Sequence, residues 1–380
     1  MEFEPAGRLR GIQKSAIRQL FDRARPGSIN LGLGEPDLPT PDVIRREAVR
    51  VISEEQNGYT SHAGLPALRE RVASDYPGLN AAPEQVIITA GSQEALYLAL
   101  MTIVDEGDEV LLPDPGFVAY PTIVRMAGGV PVFYRLPGEH QFGFDAEEFA
   151  RRLTPKTKAV VAISPSNPTG RILYPKDLEA MAGVLHGTGV FAISDEIYRD
   201  LYFTPARPDS LSDYYGRTLV IGGLSKSMSM TGWRLGWLCG DPSVIKSALV
   251  LHGYVTTCAS TVSQKAALSA WTDEAATERA KARSIFSERC RHLLSLISDE
   301  LSLSAVTPEG AFYIMMNVAS YGSSMEVAER LLEHGVITVP GAAFGRESED
   351  YLRVSFCADL PGLSEGVRRI REALKATNIR

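Results

Sequence analysis

The segment Ser225-Lys226-Ser227-Met228-Ser229-Met230-Thr231-Gly232-Trp233-Arg234-Leu235-Gly236 places one lysine among small and hydroxyl-bearing residues. The strand-like run Leu219-Val220-Ile221-Gly222-Gly223 delivers it there, and an arginine follows eight positions later. Burial disfavours the charged form of an amine, so an ammonium in this setting loses its proton more easily than one in water. A neutral lysine amine can form a Schiff base with a carbonyl, and a nearby arginine suits an anion, a phosphate above all. The pair therefore points to a carbonyl-bearing phosphate ester of the pyridoxal phosphate kind. For this segment taken alone, a solvated surface lysine is the competing reading.

Other chemistry-bearing residues follow other apolar runs. Ala90-Gly91-Ser92-Gln93 opens a helical pattern directly after Gln85-Val86-Ile87-Ile88-Thr89. A helix N-terminus offers free N–H groups and a positive dipole end to a phosphate, although Ser92 could equally be an ordinary helix cap. Ser164-Pro165-Ser166-Asn167-Pro168-Thr169-Gly170 follows Val161-Ala162-Ile163. The two prolines stiffen this turn around Asn167, whose amide could bond a ligand oxygen; plain turn chemistry is the alternative. Asp195-Glu196-Ile197-Tyr198 follows Phe191-Ala192-Ile193-Ser194. A carboxylate at the end of a buried strand is costly unless it is paired. A protonated pyridine nitrogen would be such a partner, keeping the ring electron-poor; a loop-bonded structural Asp is the bland reading.

The elements that must position these groups alternate along the chain. Strand patterns fall at 85–89, 109–112, 130–136, 159–163, 190–194 and 218–222, with helical patterns at 13–22, 42–55, 65–76 and 93–104. Near-continuous apolar strands separated by helices predict a mostly parallel sheet covered on both faces, with 233–239 as a late strand. Ligands of such sheets bind at the carboxyl ends of the strands, where the residues above fall. Helices dominate from Pro242 to about Leu301, followed by short strands at 312–317 and 351–356.

At 380 residues the chain exceeds what one core usually needs. The expected division is an N-terminal arm over 1–41, a large α/β domain over 42–285 and a smaller α+β domain over 286–380, the arm joining the small domain. A net charge of −7 leaves no electrostatic footprint for nucleic acid or an acidic membrane surface. Cys239, Cys258, Cys290 and Cys357 form no Cys-x-x-Cys pair, as expected of reduced thiols in a cytoplasmic protein. No metal-binding His/Cys spacing occurs, and neither a signal segment nor a membrane span is expected. Gly32-Leu33-Gly34 lacks the third glycine of a dinucleotide fingerprint, and Gly222-Gly223-Leu224-Ser225-Lys226-Ser227 lacks the glycine before lysine that a phosphate-binding P-loop needs.

In this order, Gly34-Glu35-Pro36-Asp37, Tyr59-Thr60-Ser61-His62-Ala63-Gly64, Ala90-Gly91-Ser92-Gln93, Asn167-Pro168-Thr169-Gly170, Ser194-Asp195-Glu196-Ile197-Tyr198, Ser225-Lys226 through Gly232-Trp233-Arg234-Leu235-Gly236, and Leu352-Arg353-Val354-Ser355 span almost the whole chain. With these blocks the sequence resembles the class I/II aminotransferases of the fold type I pyridoxal-phosphate enzymes, near the aspartate and aromatic branch. The resemblance implies a seven-stranded, mostly parallel sheet between helices. It also implies a homodimer with shared active sites, and amino acid and 2-oxo acid substrates.

It assigns roles as well. Lys226 would carry pyridoxal 5'-phosphate as a Schiff base and then move the substrate Cα proton. Asp195 would pair with the ring nitrogen. Tyr198 and Asn167 would bond the ring oxygen, and Phe117 would stack on the ring. Gly91, Ser92, Gln93, Ser225 and Arg234 would hold the phosphate, with Tyr59 reaching the phosphate of a neighbouring subunit. Arg353 would clamp the substrate carboxylate beside the Gly34 backbone, with Asn167 close by. Leu38 stands where many relatives carry phenylalanine. No second cation for an acidic side chain is evident: Lys14, Arg18, Arg23 and Arg25 read as surface charges. Two rival activities share the motifs, a carbon–sulfur β-lyase and a non-enzymatic ligand sensor. A sensor would need a DNA-binding module ahead of the match.

Overall fold

The computed structural model describes residues 16–376, together with residue 4 and residues 6–9 and 12–14. Its main sheet has seven strands, in the spatial order Val86–Thr89, Gly236–Cys239, Thr218–Gly223, Phe191–Asp195, Thr157–Ile163, Glu109–Asp114 and Val130–Arg135. Only Gly236–Cys239 runs antiparallel to its neighbours; the other pairings are parallel. The central strands Thr157–Ile163 and Thr218–Gly223 are buried almost end to end because helices cover both faces, so alternation gives way to continuous burial.

Register brings the strand ends to one edge. Ile163 lies opposite Asp195, Asp195 opposite Ile221, and Gly236 opposite both Gly223 and Thr89. Asp195 is itself a strand residue, one position beyond the expected 190–194, because both neighbouring strands still pair there. The first helix is shorter than expected, Ala16–Asp22 rather than 13–22. The Lys14 carbonyl is taken by the Gln19 side chain, and Ser15 lies outside the described residues.

A second sheet, with the order Val339–Pro340, Tyr351–Ser355, Tyr313–Asn317 and Ala305–Val306, is antiparallel throughout. The short strand Ile29–Asn30 pairs in parallel with Val336–Ile337 and so ties the N-terminal segment to the C-terminal part of the chain. Between the sheets runs Asp273–Leu301, a helix of 29 residues. The Thr272 side chain caps its start, and left-handed Ser302 ends it. The 285/286 boundary expected from sequence falls within this helix.

One apolar core extends from Leu98, Leu112 and Ile193 under the main sheet to Phe312, Leu352 and Val367 under the second. Phe286, Phe312 and Phe356 are at most 1% exposed, so the burial of each contributes about 1.5–3 kcal/mol. Among the described residues no helix is long and apolar enough to cross a membrane.

Candidate active site

Where the strand ends meet the second sheet lies a cavity of about 290 Å³. Of the residues singled out by sequence, Gly34, Ser92, Gln93, Phe117, Asn167, Asp195, Tyr198, Ser225, Lys226, Arg234 and Arg353 all line it.

Lys226 follows the Thr218–Gly223 strand through a tight turn, and its Nζ donates to the Gly34 carbonyl at 2.6 Å. A Cβ at Gly34 would collide with the buried Tyr313 hydroxyl, so glycine lets this turn pack against that ring. The loop holding Gly34 is anchored by Asp37, which accepts two hydrogen bonds from Arg289 at 2.6 and 2.9 Å. Burial pushes the Lys226 amine down to about 8, so a substantial neutral fraction exists near neutral pH.

Asp195 is 6% exposed. Its hydrogen-bond partners are both neutral: the Tyr120 hydroxyl at 2.8 Å and the Ile197 N–H at 3.3 Å. Burial raises the carboxyl to about 6, partly offset by those two bonds. A buried acid facing a cavity without a cation in hydrogen-bond contact is poorly compensated. A protonated heterocyclic nitrogen would match this acid in charge and in donor type.

At another wall Gly91 adopts φ 90° as the cap of the helix Ser92–Ile103. It does not itself line the cavity, but a Cβ there would come 2.5 Å from Arg234 Nη2, so only glycine lets the guanidinium approach the turn. Arg234 sits at φ 53°, a left-handed conformation uncommon for a residue other than glycine. That conformation lets it reach the Thr231 carbonyl at 2.8 Å and the Ala90 carbonyl at 3.3 Å. Gly236 packs against the Ser92 nitrogen. The first N–H groups of this helix have no intrahelical partners, so the end of the cavity near Ser92, Gln93 and Arg234 suits an anion.

The opposite end is built on the second sheet. Arg353, on the strand Tyr351–Ser355, is 3% exposed. It donates to Asn167 Oδ1 at 2.8 Å and to the Gly32 carbonyl at 2.6 Å, while its Nε meets no partner. Its guanidinium carbon lies 4.2 Å from the Tyr313 ring centroid and 4.8 Å from that of Phe344. Two neighbouring rings and two accepting oxygens hold the guanidinium in place, and its planar fork suits a carboxylate. The Tyr198 and Tyr313 hydroxyls meet at 2.9 Å.

Tyr59 stands apart from the cavity. It is 90% exposed and lines a separate surface groove with Asn57, Gly58 and residues 258–262. Among the N-terminal cations, Lys14 and Arg18 pair with Asp22, Arg23 pairs with Glu329, and Arg25 is exposed. None of the four lines the cavity; Ile17 does.

Sequence reasoning missed Tyr120, Tyr313 and Thr231. Tyr120 stands three residues after Phe117, and the two rings meet edge to face at 5.5 Å. Phe117 precedes the helix Ala119–Met126, and the turn in which the Tyr120 N–H donates to the Phe117 carbonyl brings the two rings together. Tyr313 lies on the strand adjacent to Arg353, and only the antiparallel register reveals their proximity. Among the described residues no cluster of His, Cys, Asp and Glu is placed to hold a metal.

The sequence profile of the aminotransferase class I and II family matches residues 26–370. The aspartate aminotransferase of Geobacillus stearothermophilus is 36% identical over 98% of this chain and 99% of its own. The aromatic-amino-acid aminotransferase 2 of Thermococcus litoralis is 35% identical over 97% of both chains. The structure of Thermus thermophilus aspartate aminotransferase with maleate superposes with a TM-score of 0.93 at 33% identity, covering 98% of this chain and all of that one.

Proposed function

Since the chain belongs to the aminotransferase class I and II family, we propose that it moves an amino group between an L-amino acid and a 2-oxo acid, in a ping-pong cycle with pyridoxal 5'-phosphate as resident cofactor. The observation that carries this reading is one cavity holding a depressed lysine, a buried acid whose hydrogen-bond partners are neutral and a buried arginine beside two rings. When bound, the cofactor supplies an electrophilic carbon and an electron sink for the substrate.

The residues would divide the remaining work. Ser92, Gln93 and Arg234, with Gly91 allowing the close approach and Ser225 beside them, hold the phosphate. Phe117 covers one ring face, and Asp195 keeps the ring nitrogen protonated. Tyr198 and Asn167 bond the ring oxygen. Arg353 orients the substrate through its carboxylate, so that the Cα proton faces Lys226 Nζ. Lys226 Nζ would be the attachment point for the cofactor's carbonyl carbon and, when free, would carry that proton. The arm over 1–41 would act with the small domain over 286–380 as one unit against the large domain over 42–285. The Ile29–Asn30 pairing with Val336–Ile337 supports this division.

Purified protein should absorb in the visible range, and suitable amino acids should shift that band. A panel including aspartate, phenylalanine and a cysteine thioether tests this reading. Oxo-acid-dependent amino acid formation supports transamination; pyruvate and ammonia released without an oxo acid would indicate β-elimination instead. Arg353→Leu should raise KM for the amino donor by roughly 30- to 1000-fold with cofactor uptake unchanged, as expected when a desolvated charge pair loses one partner. Arg353→Lys should recover only part of the loss, because an ammonium lacks the planar fork. An unchanged KM in Arg353→Leu would remove this residue from the substrate site.

The protein should also form a homodimer. Tyr59 and Tyr254 are each 90% exposed, with Val250 at 62% and Val255 at 51%. Thr261 Oγ1 donates to the Gly58 carbonyl at 2.7 Å, which ties the Tyr59 segment to the chain just beyond the helix Pro242–Val255. Large apolar exposure of this kind marks interaction sites. Sedimentation should give twice the chain mass, and a monomer at micromolar concentration would contradict the shared-site assignment of Tyr59.

A further inference from the structure

Behind the Ala90–Gly91 turn lies a buried acid that the proposed reaction does not use. Glu94 is the third residue of the helix Ser92–Ile103, and its carboxylate folds back over the helix start. Oε2 accepts the Ala90 N–H. Oε1 accepts the Thr256 hydroxyl and faces His252 Nδ1 at 3.0 Å. His252 and Thr256 come from the last turn and the end of the helix Pro242–Val255. His252 is fully buried, and its Nε2 meets no hydrogen-bond partner.

Burial alone would raise the Glu94 carboxyl. Bonds from His252, Thr256 and the Ala90 N–H outweigh it and hold the group below the usual carboxylate range. An ionised carboxylate only accepts, so His252 Nδ1 must be the donor.

The same residue is gripped through its other peptide group, where the Ala90 carbonyl accepts Arg234 Nη2 at 3.3 Å. The turn that aims the N–H groups of Ser92 and Gln93 is thus fixed at both its donor and its acceptor. A bare carboxylate in the first turn of a helix would oppose an incoming anion only by its position and charge. Here its lone pairs are committed to three donors facing away from the cavity.

We propose that Glu94, backed by His252 and Thr256, is a positioning residue that presets the Ala90–Gly91 turn for a phosphate monoester. This rests on the reading that a pyridoxal-phosphate cofactor occupies the cavity.

Glu94→Gln keeps the shape but cannot accept at both ends, so one side of its amide must face a donor. Apoprotein would be titrated with pyridoxal 5'-phosphate and, separately, with pyridoxal, which lacks the phosphate. Visible absorbance reports covalent uptake by Lys226. Glu94→Gln should weaken uptake of the phosphate ester by about tenfold, the scale of one charge-assisted hydrogen bond, and leave pyridoxal within about twofold. Thr256→Val, a milder change, should act in the same direction by about threefold; it carries the test if Glu94→Gln does not fold. Equal weakening toward both compounds would reduce Glu94 to a general structural role and overturn the proposal, as would no change toward either. Wild-type apoprotein that takes up neither compound would overturn the cofactor reading itself, and the proposal with it.

Discussion

Lys226→Ala should abolish the amino-acid-dependent shift in visible absorbance and lower turnover by about 10⁴-fold, the upper end of what a positioned acid–base group contributes. The variant loses the covalent attachment point and the carrier of the Cα proton together. Among the described residues no other amine lines the cavity: the remaining basic side chains there, Arg234 and Arg353, carry guanidinium groups instead. A variant retaining turnover within about tenfold of wild type would be incompatible with this chemistry.

The same residue sets a pH dependence. Burial lowers its amine to about 8, and the neutral form is the nucleophile. Covalent cofactor uptake by apoprotein should therefore rise with pH, about tenfold per unit below that value, and level off above it. Stopped-flow absorbance over roughly pH 6 to 9 reads the profile directly. A rise that continues into the range of an ordinary lysine, near 10.4, would mean that Lys226 is not desolvated in solution.

Asp195→Asn should lower kcat by about 10²- to 10³-fold, the scale seen when one preorganised electrostatic group is removed. Cofactor uptake should survive, since Lys226 and the phosphate end remain. The contrast between a large loss in turnover and an intact absorbance band separates the ring-nitrogen role from a folding defect. Loss of less than about threefold would place the electron sink elsewhere.

The apoprotein carries a second signature of this residue. The folded carboxyl lies at about 6 because of burial, above the value near 3.9 expected in the unfolded chain. The folded state therefore binds the proton more tightly, and its stability falls as pH rises from the unfolded value through the folded one. At neutral pH the ionised acid costs the apoprotein on the order of 2–3 kcal/mol. Apo Asp195→Asn should then melt no lower than wild-type apoprotein near neutral pH, and any advantage should vanish on acidification below about 4. Thermal melts of both apoproteins at the two pH values test this. A variant much less stable than wild type at neutral pH would give Asp195 a structural role instead.

Much of the site was legible because chemistry-bearing residues follow apolar strand patterns one after another. Asp195 and Lys226 stand at or just past the ends of fully buried strands. A parallel sheet must then bring those ends to one edge, so separate weak signals became a single place. Arg353 was legible by family resemblance alone; nothing in its local pattern announced a buried arginine beside two rings. The helix limits moved by a few residues where side chains competed for backbone groups, as at Lys14 and Gln19.

What the sequence by itself determined is the sheet, the order of its functional strand ends and the lysine, acid and arginine presented there. The strand ends, Lys226, Asp195 and Arg234 follow from local periodicity and from the cost of burying an uncompensated charge; Arg353 does not. Tertiary structure alone decided the neutral and supporting contacts. Tyr120 meets Asp195 across 75 positions of sequence, Tyr313 meets Tyr198 across 115, and His252 meets Glu94 across 158. A hydroxyl or an imidazole carries no spacing signal for a partner so distant. Its role exists only once packing has removed water and left each donor a single acceptor within reach.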